Sequence, residues 1–151
     1  MSAQPEEIFD PITIAAVPAN VIDLVWSRVE PLIRSVEALA PIDISTARVR
    51  DELRLGNKLL VTIARGEEII AINVLDVRTL DSGAKVLYIP ITAGTDIDSW
   101  LAEFLEVAEK IAIDYNCLEL RGLAVRKGWL PKLKQYGWEE AFVTIRRKIG
   151  E

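Results

Sequence analysis

The sequence contains no histidine, and its 151 residues include a single cysteine, Cys117. Without imidazole there can be no Ser-His-Asp or Cys-His catalysis, no histidine proton shuttle and no histidine-containing metal site. One sulfur cannot close an intramolecular disulfide or a CxxC pair, so nothing here argues for secretion. No apolar run approaches the ~20 residues that a membrane span requires. The opening MSAQPEEIFD is acidic and polar, unlike a signal or transit peptide. Internal repeats, low-complexity tracts and long linkers are also missing. These absences lead us to expect a soluble intracellular protein with no metal. Its chemistry, if any, would rest on carboxylates, Tyr, Lys, hydroxyls or backbone groups.

What is there suits one globular domain. Apolar residues make up 50% and charged residues 27%, an ordinary folded composition. The net charge of −5 is unevenly spread. Residues 1–110 hold 10 Lys/Arg against 18 Asp/Glu, and residues 111–151 hold 8 against 5. An acidic chain with a modestly basic end is a poor general nucleic-acid binder, because phosphate neutralisation dominates such affinity.

The patterning predicts a loose N-terminal arm over residues 1–10 and a single domain over 11–151. PITIAAV (11–17) reads as a strand. After Asn20, a plausible N-cap, apolar residues recur at helical spacing from Ile22 to Leu39, with Pro31 threatening a kink or break. Ser45 should cap a second helix that Gly56 or Asn57 ends. KLLVTIA (58–64) and IIAINVLDV (69–77) form a hairpin, and AKVLYIPI (84–91) adds a third strand whose pairing should fail or bulge at Pro90. Asp96 or Asp98 should cap an amphipathic helix carrying Trp100, Leu101, Phe104, Ala108 and Ala112. Cys117–Leu120 reads as a short strand, 128–138 as a short helix stopped by Gly137, and AFVTIRRKI (141–149) as a final strand. The expected order is β-α-α-β-β-β-α-β-α-β, an α/β (α+β) fold with a mixed sheet.

That order, ending in LKQYGW and a strand, resembles the GNAT acetyltransferase fold from about Ile12 to Ile149. The family reads like YxxxGF at the end of its penultimate helix, and Gly137-Trp138 stands in the Gly-Phe place. A closer resemblance is to small GNAT-like proteins encoded by tailed bacteriophages, which include internal virion and structural-region proteins. It is carried by Asp114-Tyr115-Asn116-Cys117, Leu118–Arg121, Arg126-Lys127-Gly128-Trp129 and Tyr136-Gly137-Trp138.

The resemblance implies an acetyl-CoA site where two parallel strands splay, with the pyrophosphate on backbone N–H groups of the next helix. The family loop is Gln/Arg-x-x-Gly-x-Gly/Ala. Here it is Ile91-Thr92-Ala93-Gly94-Thr95-Asp96, in which only Gly94 matches, so Gly94 and Thr95 are at most vestigial cofactor residues. Asp96 and Asp98 would put negative charge where phosphate should sit, and no Lys or Arg lies between Val86 and Lys110. The family's acid is often a Tyr four residues before the Gly; that position here is Leu133, and Tyr136 is the nearest phenol. Asp76 is the candidate base, its plain reading being a solvent-facing strand residue. Cys117 reads as a small hydrophobe rather than a nucleophile.

Trp26, Trp100 and Trp138 read as core. Trp129, with Arg126, Lys127, Lys132 and Lys134, forms a basic-aromatic cluster of the kind favoured at protein contacts. Equally, Trp129 could cover a helix start while the charges are solvated. Arg146-Arg147-Lys148 reads as a polar strand edge. The expectation is therefore a catalytically degenerate phage protein without a cofactor, partnered by other phage structural proteins or by itself, in the virion or host cytoplasm. The alternative is an active acetyl-CoA-dependent N-acetyltransferase with a relaxed loop.

Overall fold

The computed structural model describes residues 10–123 and 128–150. Five strands form one sheet in the order β1-β2-β3-β4-β5: β1 (Ile12–Val17), β2 (Leu59–Arg65), β3 (Glu68–Thr79), β4 (Lys85–Gly94) and β5 (Glu119–Gly122). The first four pair antiparallel and β4–β5 pair parallel, so the sheet is mixed as expected. The expected N-terminal arm, Asp10 aside, lies outside the described residues.

Strand alternation divides the core between two faces. Leu60, Ile72, Val74, Ile91 and Ala93 pack with Trp26, Val29, Ile33, Val49 and Leu53 of α1 (Ile22–Glu37) and α2 (Thr46–Leu55). Val61, Ile63, Ala71, Leu75, Leu87 and Ile89 pack with Leu101, Phe104, Ala108 and Ala112 of α3 (Leu101–Asp114). The short α4 (Trp129–Lys134) adds Trp129 and Leu133 to that second face, and Trp138 follows it there.

Local chemistry sets the helix ends. The Ser45 hydroxyl accepts from the Arg48 N–H at 3.3 Å, and Gly56 closes α2 in left-handed geometry at φ +78°. Asn20 is not the cap of α1; it lies in a 3-10 turn (Ala19–Val21) that feeds the helix. Pro31 does not break α1, which runs through it for 16 residues.

Two strand expectations change. The fifth strand begins at Glu119, so Cys117 precedes it. Residues 141–149, expected as a strand, form no ladder. Phe142, Val143, Ile145 and Ile149 are 73–92% exposed, so burial supplies no packing to fix them on the sheet.

Candidate functional site at the splayed strands

Parallel pairing covers only Val86–Ile89 of β4 against Glu119–Gly122 of β5. Among the described residues the β4–β5 pairing ends at Ile89, where the Leu123 N–H still donates to the Ile89 carbonyl (3.2 Å), while β4 stays paired to β3 as far as Gly94. The cause is local. Val74 faces Ile91 and Asp76 faces Tyr88, so Ile89 and Pro90 together oppose Leu75, a bulge at the residue that has no N–H to donate. The carboxyl ends of parallel strands are where α/β sheets bind ligands, so this opening is the natural candidate site.

The turn leaving β4 is built from inside. Gly94 adopts φ +137°, and a Cβ there would strike the Ile70 carbonyl and the Ala71 backbone. Its glycine is required by contact with β3. The Thr95 N–H donates to the Ile70 carbonyl (3.0 Å), and the Trp100 indole N–H donates to the Thr95 carbonyl (2.9 Å). Asp96 is left-handed at φ +58°, and a 3-10 turn (Ile97–Ser99) separates it from α3. Neither Asp96 nor Asp98 caps α3 through its side chain, contrary to expectation; the N-cap residue is Trp100.

The two carboxylates of this turn are held by cations from elsewhere. Arg65, at the end of β2, pairs with Asp96, and Lys132 of α4 pairs with Asp98 at 2.6 Å. The linear sequence gave no sign of either cation near the turn, because the partners lie 31 and 34 residues away. Trp100, which follows β4 in the chain, and Trp129, which follows β5, have ring centroids 6.3 Å apart. An ion pair and a ring contact thus join the helix that leaves β4 to the helix that leaves β5.

In the turn that the resemblance assigns to the pyrophosphate stand two paired carboxylates, Asp96 and Asp98; the Thr95 N–H is already donated to Ile70, and Gly94 lies tight against β3. Leu133, at the position that the resemblance assigns to the acid, packs into the core, while Tyr136 is half-exposed and its hydroxyl has no hydrogen-bond partner among the described residues.

Asp76 is not the solvent-facing residue anticipated. It is 8% exposed and accepts from Lys58 Nζ (2.6 Å) and Arg78 Nε (2.7 Å). Arg78 also stacks over the Tyr88 ring at 3.8 Å. Its partner cations line a cavity of about 150 Å³ with Asp43, Ser45, Arg48 and Pro90. A larger cavity, about 270 Å³, lies between α1 and α2, and its Arg34 and Arg50 are already paired with Glu30 and Asp23. The smaller cavity touches β4 at Pro90 and Ile91, just beyond the last residue paired with β5; the larger does not reach β4. Burial pushes the Cys117 thiol up, against a smaller opposing pull from Lys85, which keeps it protonated and weakly nucleophilic.

Sequence reasoning missed Asn73. It is fully buried on β3 opposite Thr92, whose hydroxyl donates to its Oδ1 at 2.7 Å, while its Nδ2 has no partner. Of the basic-aromatic cluster, Trp129 is half-buried against the core, Lys132 is spent on Asp98, and Lys134 is exposed. Arg126 and Lys127 lie outside the described residues. Among the described residues no three His, Cys, Asp or Glu side chains gather to hold a metal, and no helix is long and apolar enough to cross a membrane.

No protein-family model and no curated protein matches this sequence. Solved structures do. A GCN5-related N-acetyltransferase from Ralstonia eutropha superposes with a TM-score of 0.69 at 15% identity, covering 93% of this chain and 100% of that one. A predicted acetyltransferase with acetyl-CoA from Clostridium acetobutylicum gives 0.68 at 13%, covering 92% and 97%. A transcriptional regulator from Bacillus halodurans gives 0.65 at 14%, covering 92% and 100%. The fold is that of the GNAT acetyltransferases. At these identities the fold is what is shared, and one fold hosts many functions.

Proposed function

We propose that this chain is a catalytically degenerate GNAT-fold protein that acts through protein contacts. Its setting is the virion or assembly of a tailed phage, and its partners are other phage structural proteins or further copies of itself. The phage setting rests on the sequence resemblance of residues 114–121, 126–129 and 136–138. The loss of activity rests on one observation above all: the turn that should cradle a pyrophosphate carries Asp96 and Asp98, each already neutralised by its own cation. An incoming phosphate would have to break both pairs and then sit beside two carboxylates.

A second reading draws on the same residues. If Arg65 and Lys132 turned from the carboxylates to a ligand, they would bring two positive charges to the turn, as an acetyl-CoA-dependent enzyme needs. Calorimetry with acetyl-CoA at millimolar concentration separates the two. We expect no saturation with the wild-type chain. Saturable micromolar binding that weakens when Arg65 and Lys132 are both replaced by Ala would establish the second reading. Running Asp96→Gly with Asp98→Ala alongside distinguishes a barrier of charge from one made by the Trp100–Trp129 contact.

A further inference from the structure

Residues 139–149 read Glu-Glu-Ala-Phe-Val-Thr-Ile-Arg-Arg-Lys-Ile, a β-rich stretch with acids at one end and bases at the other. The segment passes beside β5: the Trp138 ring lies near Gly122, and the Phe142 ring lies 5.4 Å from the Arg121 guanidinium. Yet it joins no ladder, and Phe142, Val143, Ile145 and Ile149 stand 74%, 73%, 91% and 92% exposed. Four large apolar side chains within eight residues, next to a free sheet edge, are a pairing surface that a monomer leaves open.

We propose that this segment pairs antiparallel with the same segment of a second copy of this chain, about a two-fold axis at Thr144. The charge order selects that arrangement. With Thr144 opposite Thr144, Glu140 faces Lys148 twice, once on each side of the axis. Ala141 faces Arg147, Phe142 faces Arg146, and Val143 faces Ile145. Parallel pairing in register would instead stack Arg146, Arg147 and Lys148 on their own copies, and like charges directly opposite destabilise a sheet.

The same register sorts the faces. Val143 and Ile145 of both copies meet at the centre of one side, flanked there by Ala141 opposite Arg147 and by Ile149 opposite Glu139. On the other side Phe142 meets Arg146 of the second copy, a pairing of ring and cation. An isolated two-stranded ribbon is only marginally stable in water. Here each copy's segment is held beside its own β5 by the Trp138–Gly122 and Phe142–Arg121 contacts, so the ribbon does not stand alone. A closed, isologous interface of this kind ends at two copies. It uses the outer edge of the segment and is independent of whether the splay binds a ligand.

Sedimentation equilibrium on the full chain over a wide concentration range tests the proposal, with circular dichroism to verify folding. The wild type should be a dimer in reversible exchange with monomer. Glu140→Lys and Lys148→Glu should each weaken dimerisation by about tenfold, since each turns two facing pairs repulsive. The double variant, with the charges exchanged, should regain it, and so should an equimolar mixture of the two single variants. A chain that is monomeric at every concentration overturns the proposal. So does a dimer whose strength ignores both single reversals.

Discussion

Lys58 reaches across from the start of β2 to place its ammonium 2.6 Å from Oδ2 of Asp76 on β3, while Arg78 takes the other oxygen at 2.7 Å. Asp76 is buried, whereas the lysine and arginine side chains are 21% and 48% exposed. Removing a buried carboxylate leaves its cations to find water, and theirs is close by. Asp76→Ala should therefore cost about 1–3 kcal/mol, below the larger penalty of a fully sequestered pair. Urea denaturation measures it. A neutral result would mean that the pair contributes nothing to folding.

Gly94→Ala should be far more damaging than a loop glycine suggests. The added methyl meets the Ile70 carbonyl and the Ala71 backbone, which cannot give way as a flexible side chain would, and φ +137° disfavours any L residue. We expect a loss of about 3 kcal/mol or more in thermal or urea unfolding. For that reason lost ligand binding in a Gly94 variant would report unfolding, and the cofactor question is better asked at Asp96 and Asp98.

Much of the fold is legible in the sequence because its signals are local. Ser45 and Gly56 bracket α2 through their own backbone chemistry, and Gly66 turns the β2–β3 hairpin at φ +61°. Pro90 marks the bulge and the opening beyond it. The site is less legible because it depends on contacts between distant segments. Nothing near Asp96 or Asp98 in the chain announces Arg65 or Lys132. Asp76 sits in an alternating strand whose next apolar neighbours suggest a wet face, and only folding brings Lys58 over it. Residues 141–149 have the composition of a strand, but composition does not say whether any edge takes them up, and here none does among the described residues.

Glu37 ties the end of α1 to the start of α2. Its carboxylate accepts from the Thr46 hydroxyl at 2.8 Å and from the Thr46 N–H at 3.3 Å. The hydroxyl bond, then the backbone bond, hold its carboxyl below the usual value, with a smaller contribution from Arg34. A depressed folded pKa adds stability above the unfolded pKa. That stability is lost as the pH falls from about 4.3 downwards through the folded value. Glu37→Gln should therefore be less stable than wild type at neutral pH, with the gap closing in acid. Urea midpoints between about pH 3 and pH 6 check this. A gap independent of pH would rule out the carboxylate as its source.

Asp96 pits backbone strain against an ion pair. Its left-handed geometry, φ +58° and ψ +39°, costs a residue with a Cβ about 1–2 kcal/mol, less for Asp than for most. Its bond to Arg65 is half-exposed, and such a pair contributes about 1 kcal/mol at most. Asp96→Gly removes both the strain and the pair, so the two changes should nearly cancel. Asp96→Ala removes the pair and keeps the strain, which an Ala bears worse than an Asp. We therefore expect the glycine variant within about 0.5 kcal/mol of wild type and the alanine variant about 1 kcal/mol below it. High salt should favour the glycine variant relative to wild type, since only wild type has a pair to screen. Urea unfolding of the three proteins at low and high salt reads both effects. If glycine and alanine prove equally destabilising, the ion pair and not the backbone governs this turn. Asp96 would then be held there chiefly by its charge.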